Sequence, residues 1–181
     1  MIPFSGGPDG VTARLTSDEA EILRHLAGEL IELLADRASE SGSDPADVLR
    51  AQLGIGGGES APLDPALARL LPDAYRGDAG AASEHRKLTE LGLLDRKVGN
   101  AQLVRASLDS AESPVIVRLD PAGVQAWLRT LTDLRLTIAA RLEIEEDGDE
   151  GRADDESDLA MLAVYDWLGY LQGTLVDVID V

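Results

Sequence analysis

Apolar residues in the stretch 120–144 fall at Val124, Trp127, Leu128, Leu131, Leu134, Ile138 and Leu142. Steps of three and four place them on one side of an α-helix. Asp120 is suited to cap its start, and Pro121 fits a first turn where its missing N–H would be unpaired anyway. Leu136, Ala139 and Ala140 widen the apolar surface, so the helix is expected to pack on more than one side. Arg129, Asp133 and Arg135 interrupt it with charge. A second periodic stretch, about 156–179, carries Leu159, Leu162, Tyr165, Leu168, Leu171, Leu175 and Val178. The acidic loop that joins the two makes them an expected antiparallel helix hairpin.

The same period recurs earlier. Thr16-Ser-Asp-Glu19 is a capping-box pattern opening a helix to about Ala38, with Ile22, Leu23, Leu26, Leu30, Leu33 and Leu34 as its buried stripe. Asp64-Pro65 starts a short helix ending near Leu71-Pro72, and Asp44-Pro45 another through Ala51. Residues from about 79 to 110 are helical in pattern, with Gly92 and Gly99 allowing a bend or break. Alternation at Val11–Leu15 and β-branching at Pro114–Leu119 predict two strands pairing as a small β-ribbon (11–15 with 114–119), while residues 1–10 form turns or a short hairpin. The fold class is therefore mainly α, a single helical domain over 1–181 with flexible segments at about 39–63 and 145–156.

Composition sharpens the picture in three places. Hydrophobic residues are 44% of the chain but aromatics only 3%, so the core is mainly aliphatic. There is no cysteine, which removes disulfides, thiolate metal sites and thiol chemistry. The formal charge of −18 disfavours direct DNA binding, which draws most of its affinity from neutralising phosphates. Against that field, residues 76–105 carry six basic and four acidic residues, a net of +2. The bland reading of this island is a solvated helix face with local pairs; the sharper one is a contact for an acidic partner. No run is long and apolar enough for a membrane span, and the first residues lack the basic start and apolar core of a secretory signal, so a cytoplasmic location is expected.

Candidate chemistry is sparse. Glu143–Asp158 holds ten acids and one arginine, but from Asp147 the positions where a calcium loop needs an acid and a glycine are Gly151 and Arg152, so a flexible loop is favoured. Gly54-Ile-Gly-Gly-Gly58 lacks the Lys and Ser/Thr of a phosphate loop and reads as a surface connection. His25 and His85 have no second histidine at metal-ligand spacing. Trp127 and Trp167 read as core anchors of the hairpin. No catalytic residue, metal or cofactor is assigned.

Four stretches together resemble one family. They are Leu63-Asp-Pro-Ala-Leu-Ala-Arg-Leu-Leu-Pro-Asp-Ala-Tyr-Arg76, Glu84-His-Arg-Lys-Leu-Thr-Glu90, Trp127-Leu-Arg-Thr-Leu-Thr-Asp-Leu-Arg-Leu136 and Tyr165-Asp-Trp-Leu-Gly-Tyr-Leu-Gln172. They resemble the actinobacterial AosR-like oxidative stress transcriptional regulators, long filed as a domain of unknown function. The resemblance implies a cytoplasmic regulator that contacts a sigma factor or RNA polymerase. The family's redox-sensitive cysteine pair has no counterpart here, and Thr132 stands where the family pattern has Asn.

The resulting expectation is a non-enzymatic regulatory or adaptor protein working by protein–protein contact in stress-linked transcription regulation. Its contact surface is expected to combine Tyr75 and Arg76 with Arg86 and Lys87, joined by Asp133 and Arg135. A homodimer is left open. The alternative is a direct DNA-binding regulator with a winged-helix-like pairing of helix 79–110 and strand 114–119. An enzyme lacks any supporting constellation.

Overall fold

A computed structural model describes residues 3–7, 10–39, 56–58, 60–75, 77–109, 113–146, 149, 151–152 and 154–179. The short helix expected over 44–51 lies outside the described residues. The elements run β1 (Phe4–Gly7), β2 (Gly10–Leu15), α1 (Ser17–Ser39), α2 (Pro65–Leu70), α3 (Ala79–Ser107), β3 (Val115–Leu119), α4 (Pro121–Arg141) and α5 (Glu156–Ile179).

Local signals place the helix starts. The Thr16 amide and hydroxyl both donate to the Glu19 carboxylate, and the Glu19 amide donates back to the Thr16 hydroxyl. Asp64 accepts from the amides of Ala66 and Leu67, Asp78 from Ala81, and Asp120 from Gly123. The helix over 79–107 is continuous through Gly92 and Gly99. The hairpin of α4 and α5 forms as expected, and α4 packs in addition on α2 and α3.

The ribbon gains a third strand. β2 pairs antiparallel with β3 as expected, Ala13 opposite Val117 and Leu15 opposite Val115. β1 adds to the other edge of β2, with Phe4 opposite Ala13. The reason is burial: the Phe4 ring meets the Trp127 ring edge-on at 5.6 Å, joining the sheet to the middle of the helical core. Gly10 turns into β2 at φ +112°, and a Cβ there would stand 2.8 Å from the Leu119 carbonyl oxygen. β3 then alternates cleanly, with Val115, Val117 and Leu119 buried.

Two stripes face differently from the sequence reading. On α1 the buried line is Ala20, Leu23, Ala27, Leu30, Leu34 and Arg37, leaving Ile22 exposed. On α3, Leu88 and Leu103 are exposed while Arg86 and Glu90 face inward. The cause is an ionic chain between the helices. The Arg37 Nε donates to the Glu90 carboxylate at 2.8 Å, and an Arg86 terminal nitrogen donates to Asp73 at 2.6 Å. Arg37 also donates to the Ser60 carbonyl. Long guanidinium stems thus fill space that leucines were expected to fill.

The described glycines 56–58 lie tight on this cluster, not loosely on the surface. The Gly56 carbonyl accepts from the Leu91 amide at 2.8 Å. A Cβ on Gly57 would stand 2.3 Å from the Arg86 carbonyl oxygen. Backbone this close to a helix admits no side chain.

Removing Glu90 leaves two guanidinium groups buried without their shared carboxylate. Glu90→Ala is expected to lower stability by about 3–5 kcal/mol, the usual loss when one partner of a buried ion pair is deleted. Urea unfolding measures this as a lower midpoint at unchanged slope, and an unchanged midpoint would show the network to be dispensable.

Candidate functional site

The described functional candidates come from the turn before α3, from α3 and from α4, and they do not share one face. Tyr75 belongs to the turn between α2 and α3, is 51% exposed, and meets the exposed His85 ring edge-on at 5.9 Å. Arg76 lies outside the described residues. Lys87 is half-buried and stands 3.8 Å from Glu84 on the same helix. Arg86 is only 9% exposed and sits in the ionic chain between α1, α3 and the 73–75 turn. Its charge is held inside the molecule, so the turn and helix bring Tyr75, His85 and Lys87 to the surface without it.

Asp133 and Arg135 come from α4. Asp133 is buried, and the Lys97 ammonium of α3 donates to its carboxylate at 2.6 Å. Burial pushes this carboxyl above its ordinary 3.8, and the hydrogen bond and charge of Lys97 offset only part of that rise. Arg135 turns the other way, toward α5. Its guanidinium lies 4.7 Å from the centre of the Tyr165 ring and donates to the Tyr165 hydroxyl and the Gln172 amide oxygen. Gly169 leaves room for it, since a Cβ there would stand 3.4 Å from the guanidinium carbon.

Between α3 and α4 runs an open cleft of about 690 Å³, also lined by Arg69 and Leu70 of α2 and by Pro72. Leu93, Lys97 and Asn100 of α3 share one face, as do Leu128, Thr132, Asp133 and Leu136 of α4. Leu93, Leu128 and Leu136 line it with apolar surface. Arg69, Arg96 and Arg129 stand around it, and none of the three forms an ion pair with a described residue. Asp133 is the one acidic lining residue, already matched by Lys97. A cationic, leucine-lined groove is therefore cut into a chain of net charge −18.

Sequence reasoning put Asp133 on the contact surface but assigned no contact role to the three arginines or the leucines of the cleft. Arg96 and Lys97 were visible within the positive island. What was missing was the facing of two helices that are about thirty residues apart in sequence. Among the described residues, no three histidine or acidic side chains stand close enough to hold a metal ion, and no helix is long and apolar enough to cross a membrane.

A domain of unknown function (DUF2017) matches residues 1–179. A Mycobacterium bovis protein named oxidative stress regulator AosR is 37% identical over 177 residues, covering 90% of this chain and 78% of its own length. A Mycobacterium tuberculosis protein of the same name matches with the same identity and coverage. A Mycobacterium leprae relative is 34% identical over 172 residues, covering 87% of this chain and 77% of its own. No solved structure matches the chain.

Because its folded value lies above 3.8, Asp133 contributes stability that is fully present below the unfolded value and lost as pH rises through the folded one. A ¹³C-carboxyl titration of the full chain is expected to place Asp133 above the ordinary aspartate value. Lys97→Met, which removes both opposing influences, should raise it further. A value at or below 3.8 would contradict the assignment of burial as the dominant cause.

Proposed function

The chain belongs to the AosR-like family, the domain of unknown function DUF2017, and from that premise we propose that it is a stress-linked regulatory protein acting by non-covalent contact with other proteins. The curated relatives carry the name of oxidative stress regulators, which supports the regulatory part of this reading. The observation that carries the mode of action is the cleft between α3 and α4 with its three arginines, in a molecule whose field otherwise repels nucleic acid. The partner class is a sigma factor or RNA polymerase, and no chemical step is assigned to the protein.

The contact face runs from the exposed Tyr75 and the half-buried Lys87 along α3 to the cleft lined by Asp133. Arg86 supports this face from beneath through Asp73, and Arg135 fixes its far side by holding α5 on α4. Regulation here does not run through a thiol, since the chain has none.

Immobilised full-length protein is expected to retain a purified stress sigma factor or RNA polymerase holoenzyme. Tyr75→Ala combined with Lys87→Glu should reduce that retention, with an unchanged circular dichroism spectrum. Labelled duplex DNA at low salt is expected to show no shift. Salt-dependent duplex binding together with no retained protein would replace this reading with direct DNA binding.

A further inference from the structure

We propose that the cleft between α3 and α4 receives an acidic amphipathic helix of the partner protein. This rests on the reading that the protein works by protein contact, and it specifies the chemistry of what is bound.

Charge comes first. Arg69, Arg96 and Arg129 approach the cleft from three different helices, and each lacks an ion-pair partner among the described residues. Their nearest acidic neighbour within the lining, Asp133, is already bound to Lys97 at 2.6 Å. In a chain with more than twice as many acids as bases, three unmatched guanidinium groups around one groove are a local inversion of the molecular field. Such an inversion favours carboxylates and steers them in. Guanidinium groups also suit carboxylates by geometry, presenting paired donors in a plane.

The occupant is helical because of its own backbone. The groove is lined by Leu93, Leu128 and Leu136, so an extended segment would set unpaired amides against apolar surface. The uncharged polar lining is small. Thr132 already donates to the Leu128 carbonyl and accepts from Gln172, which leaves Asn100. Among the described residues, no strand edge borders the cleft. A helix satisfies its own backbone and needs only side-chain complementarity. Its apolar residues, spaced three and four apart, meet the three leucines while its acids reach Arg96 on one wall and Arg129 on the other.

The site is built on supports that do not move with the ligand. The Lys97–Asp133 pair ties the two walls together at the floor. Leu70 is buried in the core beside Arg69 and anchors α2 where it lines the cleft. The walls are interiors of long helices, not loops, so the groove is present before a partner arrives.

Fluorescence anisotropy of two labelled synthetic peptides of about 18 residues, roughly five helical turns, tests this with the full chain. Both carry leucines at positions i, i+3 and i+7; one has Glu at the remaining exposed positions and the other Lys. The Glu peptide is expected to bind about tenfold more tightly than the Lys peptide, as three rim ion pairs of ordinary exposed strength provide, and to weaken with salt. The double variant Arg96→Glu/Arg129→Glu should invert the preference toward the Lys peptide, a gain that misfolding cannot produce. Leu128→Ser should weaken both peptides. Equal binding of the two peptides, or an unaltered preference in the double variant, overturns the proposal. So does binding of decanoate with neither peptide, which would make the cleft a site for a small anionic amphiphile. Retention of the sigma factor or polymerase by the double variant as by the wild type removes the cleft from the contact and leaves the regulatory reading standing. Peptide binding without any retained transcription protein keeps the cleft and removes that partner class.

Discussion

A helix buried on several sides can carry charge only if its neighbours meet that charge. α4 is such a helix: Trp127, Leu131, Leu134 and Ile138 are in the core, and Asp133 is buried beside them. An unmatched carboxylate there would be a serious liability. Lys97 of α3 meets it, and Tyr165 and Gln172 of α5 meet Arg135 two residues further along. Trp127 adds a third polar fastening, its indole N–H donating to the Ser107 hydroxyl at the end of α3. Apolar packing would tolerate several rotations of α4 between its neighbours, but these directional contacts tolerate one. The register of the bundle, and therefore the shape of the groove along it, follows from them.

The second ionic centre, Arg37 with Glu90, Arg86 and Asp73, does comparable work at the other end of α3. It joins α1, α3, the segment at Gly56–Ser60 and the turn before α3. Together the two centres hold α3 at both halves of its 29 residues, which an amphipathic stripe of modest apolarity would hold poorly. A charge-rich, aromatic-poor sequence thus reaches a specific packing by a few buried pairs and not by large rings. Three arginines without an ion pair to a described residue, Arg69, Arg96 and Arg129, gather where two helices part.

Much of the architecture was legible because its signals are local. The caps at Thr16, Asp64 and Asp120, the hairpin around the acidic run and the 11–15 pairing with 115–119 all follow from patterns within a few residues of each other or from a lack of other strand-like partners. What escaped was non-local. Arg86 and Glu90 look like a solvated face until Arg37, more than fifty residues distant, is seen to reach Glu90. Phe4 looks like part of a turn until Trp127 is placed behind it. The acidic run looks uniformly repulsive, yet Arg152 draws Glu143, Asp154 and the buried Asp158 around itself. The candidate site shows the same division: Asp133 stood out as a charge in an apolar stripe, whereas Arg69 and Arg129 gained meaning only from the facing of their helices.

The sheet edge has a consequence for how the molecule is made. β1 packs against α5, close enough that a Cβ on Gly6 would stand 3.0 Å from the Val178 side chain. Strand and helix are separated by nearly the whole sequence, so this contact closes the longest loop among the described elements. During synthesis the hairpin of β1 and β2 leaves the ribosome early but cannot make this contact until the helix over 156–179 has emerged. The first strand of the fold is thus completed by its last helix, and the native state is reached late.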